Sequence, residues 1–392
     1  MRKIYLDNAS TTNVSSDVLT EMLPVLGENY GNPNNLHSFG RDALNLVDKA
    51  RDRVAAGINA DRGEIYFTSG GTEANNWALL GLALANKSKG NHIITSQIEH
   101  HSVLESCKIL EKLGFEITYL PVDKHGLVNI AELIHCIGQK TILVSVMAAN
   151  NEIGTIQNLK TIAKISHEKN VLFHTDAVQA LGNFRIDVKD LDVDALSLSG
   201  HKLHAPKGVG ALYVKKGVKI DPLIVGGTQE KSKRGGTLNV ASIVGFGKAV
   251  ENTVRDYTVN NKKVKMLKDY FANNLSKEIE YINFNGHPSQ SVPSILSVSF
   301  NFIEGESLML LLDLNGIAVS TGSACSTGSQ EKSHVLKAIG LNPEVAQGTI
   351  RFSFGPNNTK EELDYVLEVV KKNVAKLRQM SPLKPSRKSS AK

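Results

Sequence analysis

The sequence predicts an α/β protein, with a mostly parallel central sheet in a large domain and a smaller α+β C-terminal domain. Residues 64–215 alternate short apolar runs with amphipathic stretches, the rhythm of strands laid side by side and covered by helices. From about residue 257 that rhythm stops, and one long helical stretch is followed by two β-rich runs around an apolar helix. With 392 residues, 41% hydrophobic and 21% charged, the chain is long enough for a large core and has the composition of an ordinary globular protein.

The elements follow in order. "EIYFTSG" (64–70) reads as a strand and "EANNWALLGLALAN" (73–86) as the helix after it. "HIITS" (92–96), "FEITYL" (115–120), "TILVSVM" (141–147), "VLFHTDAV" (171–178) and "ALSLS" (195–199) are further strands, with helical patterns such as "LKTIAKISHEKN" (159–170) between them. In the C-terminal part, "VKMLKDYFANNLSKEI" (264–279) and "SLMLLLDL" (307–314) are helical, while "SILSVSFN" (294–301) and "TIRFSFG" (349–355) are strands. Thr359 and Glu362 form a capping box for the last helix. Leu363, Val366, Leu367, Val370, Val374 and Leu377 give that helix one apolar stripe.

The formal net charge of +6 is concentrated at one end. Lys384, Arg387, Lys388 and Lys392 stand in the acid-free tail "SPLKPSRKSSAK" (381–392), which leaves the body at +2. The tail has no aromatic interleaving for base stacking, so it reads as a solvated terminus and direct nucleic-acid binding is not expected. Cys107, Cys136 and Cys325 cannot build a disulfide framework and lack metal-ligand spacing. The start, "MRKIYLDNAS", has no signal-peptide core, and no apolar run approaches membrane-spanning length. A cytoplasmic enzyme, with no membrane partner, is the expectation.

In such sheets, chemistry gathers where strands end. "TSGGTEANN" (68–76) puts glycines before Thr72 at a helix start, a turn able to offer backbone N–H groups to an anion. Asp176 ends an apolar strand, as a capping acid or as partner to a protonated ring nitrogen. Lys202 follows another strand, among Ser199, His201 and His204; a lysine in a dry site can form a Schiff base. An anion turn, a strand-end acid and a strand-end lysine are the three handles that pyridoxal 5'-phosphate requires, and Asn151 and Gln179 could hydrogen-bond its phenolic oxygen. Finally, "STGSACSTGS" (320–329) surrounds Cys325 with small residues that cannot wall it in, so the thiol reads as presented. Cys107 and Cys136 sit at helical spacing among apolar neighbours and read as core; His101 reads as a helix-start residue and His334 as structural.

"YLDNASTT", "YGNPNNLHSFG", "SGGTEANN", "EHHSVL", "NNEIGTIQ", "HTDAVQALG", "SGHKLHAPKGVGALYV", "GSACSTGS" and "IRFSFG" resemble, in order, the motifs of cysteine desulfurases of the NifS/IscS type. These belong to the class V aminotransferase group of pyridoxal-phosphate fold-type I enzymes, and the resemblance runs from about residue 4 to 380. It implies a desulfurase that converts L-cysteine to L-alanine and captures the sulfur as a persulfide on Cys325. Lys202 would anchor the cofactor, and His100 would stack on its ring and assist proton transfer. Asp176 would pair with the ring nitrogen, and Asn151 and Gln179 would contact the phenolic oxygen. Gly71, Thr72, Ser199 and His201 would bind the phosphate, joined by Thr237 from the second subunit of a homodimer. Arg351 would clamp the substrate carboxylate, with Asn32 nearby.

The implied organisation is an N-terminal segment (1–13) packing with the small domain, a large cofactor-binding domain (14–256), a small domain (257–380) carrying the cysteine loop, and the basic tail (381–392). The sulfur would pass to an acceptor protein, an iron–sulfur scaffold or a tRNA-thiolation enzyme. No resident metal is implied, although Cys325 could ligate a cluster transiently. Rival readings are a selenocysteine lyase or desulfinase on the same scaffold, or an inactive sulfur carrier or scaffold. The chain departs from the pattern in three places. Gly71 and Ala205 stand where many relatives have alanine or another residue and glycine, respectively. Glu230-Lys231-Ser232 stands where the family usually shows Glu-Arg-Gly, which puts dimer-side contacts or rate in question.

Overall fold

The computed structural model describes residues 3–321 and 333–382. Its central sheet has the strand order Ile65–Thr68, Gly210–Val214, Ala195–Ser199, Leu172–Asp176, Thr141–Ser145, His92–Ser96, Glu116–Leu120. Only Gly210–Val214 runs against its neighbours. The strands Thr141–Ser145, Ala195–Ser199 and Gly210–Val214 are buried at every residue, which requires apolar cover on both faces. One face packs against Val47 and Val54 of the helix Ser38–Gly57, Ile162 of Leu159–Glu168, and Phe246 and Val250 of Val240–Glu278. The other face meets Trp77, Leu79 and Leu82 of Gly71–Ala85 and Val103 and Leu110 of His101–Lys112.

A second core lies beneath an antiparallel sheet of Thr349–Ser353, Ile295–Phe300 and Ile282–Asn285. Phe271 meets Phe352 edge-on at 5.1 Å and Phe354 at 6.0 Å. Each fully buried ring contributes about 1.5–3 kcal/mol by removal from water. The helix Lys360–Met380 lays Leu363, Val366, Leu367, Val370 and Val374 into this core, as its stripe predicts. Its capping box forms: Thr359 Oγ1 accepts from Glu362 N, and Glu362 Oε2 accepts from Thr359 N.

The change of character near residue 257 is not a break in the backbone. Val240–Glu278 is one helix of 39 residues, about 58 Å long. Its first half packs Phe246 and Val250 into the large core and its second half packs Phe271 and Leu275 into the small one. No glycine or proline interrupts residues 248–285, so the helix can run through. The N-terminal segment also serves both parts. Ile4 and Leu6 enter the small core and Ile4–Tyr5 pairs with Ile317–Ala318, while Thr12 N donates to His201 O in the large part.

Candidate active site

Parallel strands end on one edge of the sheet, and the loops leaving that edge converge. Gly70–Thr72 follows the first strand, His100 the His92–Ser96 strand, and Asn151 the Thr141–Ser145 strand. Asp176 ends its own strand, and Ser199, His201 and Lys202 leave Ala195–Ser199 through a tight turn. With Gln179, Arg351 and Ala9–Thr11, these residues line one cavity of about 640 Å³.

The anion turn is shaped by glycine. Gly70 has φ = 154°, a backbone conformation that only glycine holds without strain, and a Cβ on Gly71 would lie 2.7 Å from Val178 Cγ2. The departure at position 71 therefore matches Val178 rather than the ligand. The helix Gly71–Ala85 starts here and points its open N–H groups at the cavity. Glu73, in the first turn, accepts from Ser69 N at 2.8 Å and pairs with Arg234 through both oxygens at 2.8 and 3.1 Å. Burial works against the charged form of Glu73, yet the Arg234 and Ser69 hydrogen bonds outweigh it and hold its carboxyl below the usual range.

Lys202 Nζ donates to the carbonyls of Ala9 at 2.6 Å and Ser10 at 2.8 Å. Asp176 is 5% exposed; its Oδ1 accepts from Val178 N at 2.9 Å and its Oδ2 from Asn75 Nδ2 at 2.6 Å. Gln179 Nε2 donates to Ala9 O, so the N-terminal segment closes the cavity beside the lysine. His201 shares a hydrogen with Thr11 Oγ1, and burial with the nearby Lys202 and Lys207 pushes its pKa down to about 4, so its ring is neutral. Arg351, 4% exposed, gives Nη1 to Asn151 O at 2.8 Å and Nη2 to Asp7 Oδ1 at 2.9 Å and Ser10 Oγ at 2.7 Å. Its Nε is buried without a partner. His100 caps the helix His101–Lys112, and burial, followed by Lys202 and His101 against the counter-pull of Asp176, lowers its pKa.

The cavity thus collects His100, Gly71, Thr72, Asn151, Asp176, Gln179, Ser199, His201, Lys202 and Arg351. It does not collect Asn32 or Thr237, which stand exposed elsewhere on the chain. Cys325 lies outside the described residues. Cys107 is buried, with its thiol pushed up to about 12, and Cys136 is half-buried beside Glu132. His334 Nε2 donates to Glu99 O, its ring 4.9 Å from His101. Among the described residues, no group of His, Cys, Asp or Glu is placed to hold a metal ion.

Four participants escape sequence reasoning: Asp7 and Ser10, which hold Arg351, and Asn75 and Ser102, which join Asp176 to His100. All four stand inside motif segments, yet Ser10, Asn75 and Ser102 are residue types that announce no chemistry, and Asp7 does not stand at the end of a central-sheet strand. The segment 226–240 also gains an explanation. Glu230 is buried and bidentate to Arg51, and it accepts from Phe67 N, while Glu230, Lys231 and Ser232 all take left-handed φ of 45°, 58° and 61°. Lys231 Nζ donates to Gly63 O at 2.6 Å and lies 5.4 Å from the centre of the Tyr66 ring.

A parallel sheet that brings a lysine, a buried acid and a glycine-opened helix to one cavity defines an enzyme of the α/β class built around a phosphorylated cofactor. The aminotransferase class-V model matches residues 4–366. The cysteine desulfurase IscS of Methanosarcina thermophila is 52% identical over 384 residues, covering 98% of this chain and 95% of its own. A solved NifS-like protein superposes with a TM-score of 0.91 at 41% identity, covering 96% of this chain and 100% of that one. A solved complex of SspA with cysteine gives 0.81 at 35% identity, covering 91% of this chain and 100% of that one. The chain belongs to the class-V aminotransferase family, and its activity is that of a cysteine desulfurase, which works with pyridoxal phosphate. The residues present fit that cofactor. The cavity has the volume for it, the helix Gly71–Ala85 opens its N-terminus onto it, and Asp176 is held as an acceptor by two neutral donors.

Proposed function

We propose that this chain desulfurates L-cysteine as a homodimer, with Cys325 taking the sulfur and passing it to an acceptor protein. The observation that carries the proposal is the meeting of Lys202, Asp176 and Arg351 around one cavity. When bound, pyridoxal phosphate supplies the electron sink that makes the Cβ–S bond of cysteine labile. Lys202 would hold it covalently, Gly71, Thr72, Ser199 and His201 would cradle its phosphate, and Asp176, Asn151 and Gln179 would orient its ring. Arg351, which lines the cavity with its guanidinium fixed by Asn151 O, Asp7 and Ser10, would receive the substrate carboxylate. The Cys325 thiolate would attack the substrate sulfur. The S–S bond forms as the Cβ–S bond breaks, and Cβ takes a proton to give alanine while the enzyme keeps the persulfide.

A second subunit is supported by the apolar flank of the helix Ser16–Gly27 and the segment after it. Leu23 and Leu26 are each 64% exposed and Tyr30 71%, large apolar side chains that a second chain would cover. Thr237 and Asn32, exposed on this chain, would then serve the partner's cavity. Among the described residues no helix is long and apolar enough to cross a membrane. The acceptor would be an iron–sulfur scaffold or a tRNA-thiolation enzyme.

The test takes the visible spectrum of the purified protein, then adds L-cysteine and a dithiol and measures sulfide and alanine. A yellow protein that releases both, beside a Cys325→Ala variant that keeps the colour and loses the release, is the expected result. A colourless protein that cannot be reconstituted would overturn the proposal.

A further inference from the structure

His100, Ser102, Asn75 and Asp176 form one hydrogen-bonded chain across the cavity wall, and its geometry determines the direction of each bond. Asn75 Nδ2 lies 2.6 Å from Asp176 Oδ2 and 2.8 Å from Ser102 Oγ. A carboxylate only accepts, so the Asn75 amide must turn its NH₂ toward Asp176; the flipped amide would set oxygen against oxygen. The two hydrogens of that nitrogen are then divided between Asp176 and Ser102. Ser102 Oγ therefore accepts from Asn75 and directs its own hydrogen to His100 Nδ1, 2.8 Å away. The backbone N–H of Ser102 points at the same Nδ1, at 3.1 Å. Two donors meet at Nδ1, so it carries a lone pair and the ring proton sits on Nε2.

This orientation has a cost that the fold accepts. Asn75, 1% exposed, leaves its Oδ1 buried and without a partner, a defect of about 1–3 kcal/mol.

We propose that Asn75 and Ser102 are positioning residues that lock His100 as the neutral Nε2–H tautomer, with Asp176 setting the lock. The consequence deepens the function proposed above and rests on it. His100 faces the bound substrate as a hydrogen-bond donor, and any proton it exchanges passes through Nε2. Charging the ring would place a hydrogen on Nδ1 against both Ser102 donors. The charged and titratable groups facing His100 are Asp176, which favours the charged ring, and Lys202 and His101, which disfavour it; His334 packs beyond His101.

The test uses the protein isolated with its cofactor and labelled with ¹⁵N-histidine, the His100 signal being the one absent from His100→Gln. In the wild type the ring is expected to show its proton on Nε2 and to titrate below the ordinary histidine range, chiefly because it is buried. Ser102→Ala removes one of the two donors and is expected to raise the His100 titration midpoint by about one pH unit. It lowers kcat several-fold and leaves KM for L-cysteine within about twofold. Ser102→Thr, which keeps the hydroxyl, restores the wild-type midpoint. Asn75→Ala moves the His100 midpoint the same way and also shifts the pH titration of the cofactor's visible absorption, because Asp176 loses a donor. A proton on Nδ1 in the wild type, or an unchanged midpoint in a folded, yellow Ser102→Ala protein, would overturn the proposal. A wild-type protein that shows the Nε2 proton but yields no sulfide would instead strike the functional reading and leave the tautomer assignment standing.

Discussion

Replacing Glu230 with glutamine is expected to lower the melting temperature by about 4 °C. Glu230 Oε1 accepts from Arg51 Nη2 at 2.6 Å, and Oε2 accepts from both Arg51 Nη1 and Phe67 N at 2.8 Å. The side chains are 1% and 11% exposed, so water cannot replace what is removed. Glutamine can keep its oxygen at the Oε2 position, but its NH₂ then faces Arg51 Nη2, donor against donor. Breaking one partner of a buried pair costs about 3–5 kcal/mol, and retention of the Oε2 contacts puts this case near the lower end, about 3 kcal/mol. Unfolding entropy of about 2 cal/mol/K per residue amounts to roughly 0.8 kcal/mol/K for the whole chain, which converts 3 kcal/mol into about 4 °C. The assay is calorimetry on the cofactor-loaded protein. Asp190→Asn, which removes the exposed Lys160–Asp190 pair, serves as a control expected within about 1 °C of wild type. A shift below 1 °C for Glu230→Gln would show that Arg51 finds other partners and that the buried pair does not hold the 226–240 segment.

Three further outcomes are expected. Ser232→Gly relieves a left-handed residue at φ = 61° and should raise the melting temperature by about 1 °C; a fall would mean that the serine conformation is not strained. Burial raises the Glu99 carboxyl from 4.5 to about 8, so the folded chain holds a proton that the unfolded chain has released. That contribution to stability is fully present below about pH 4.5 and is lost as pH rises through about 8. Glu99→Gln should therefore melt near wild type at pH 5.5 and above it at pH 9, and a gap that does not change with pH would refute this account. Arg351→Lys keeps the charge but loses the fork, and should raise KM for L-cysteine at least tenfold in steady-state assays; an unchanged KM would move the carboxylate site elsewhere.

The central sheet was legible because its signals are local. "TILVS" and "ALSLS" are apolar enough to be buried on both faces, and the anion turn, Asp176 and Lys202 stand at strand ends where such folds place chemistry. Thr359 and Glu362 announced the last helix because a capping box closes within four residues. The continuous helix Val240–Glu278 was less legible, since its two halves serve different cores and the composition shifts between them. Asn75 and Ser102 carried no signal of their own, because an amide and a hydroxyl acquire direction only from what stands next to them.

The sequence by itself determined six of the seven strands of the central sheet, the last helix, the family motifs and most of the residues able to do chemistry, since periodicity, capping and side-chain type act over a few residues. Tertiary structure alone decided which of those groups meet. Arg351 is joined to Asp7 across 344 positions, Arg51 to Glu230 across 179, and Asp176 to Asn75 across 101. A hydrogen bond forms within a few tenths of an ångström and a limited range of angles, and only the closed chain sets distances between remote residues that finely.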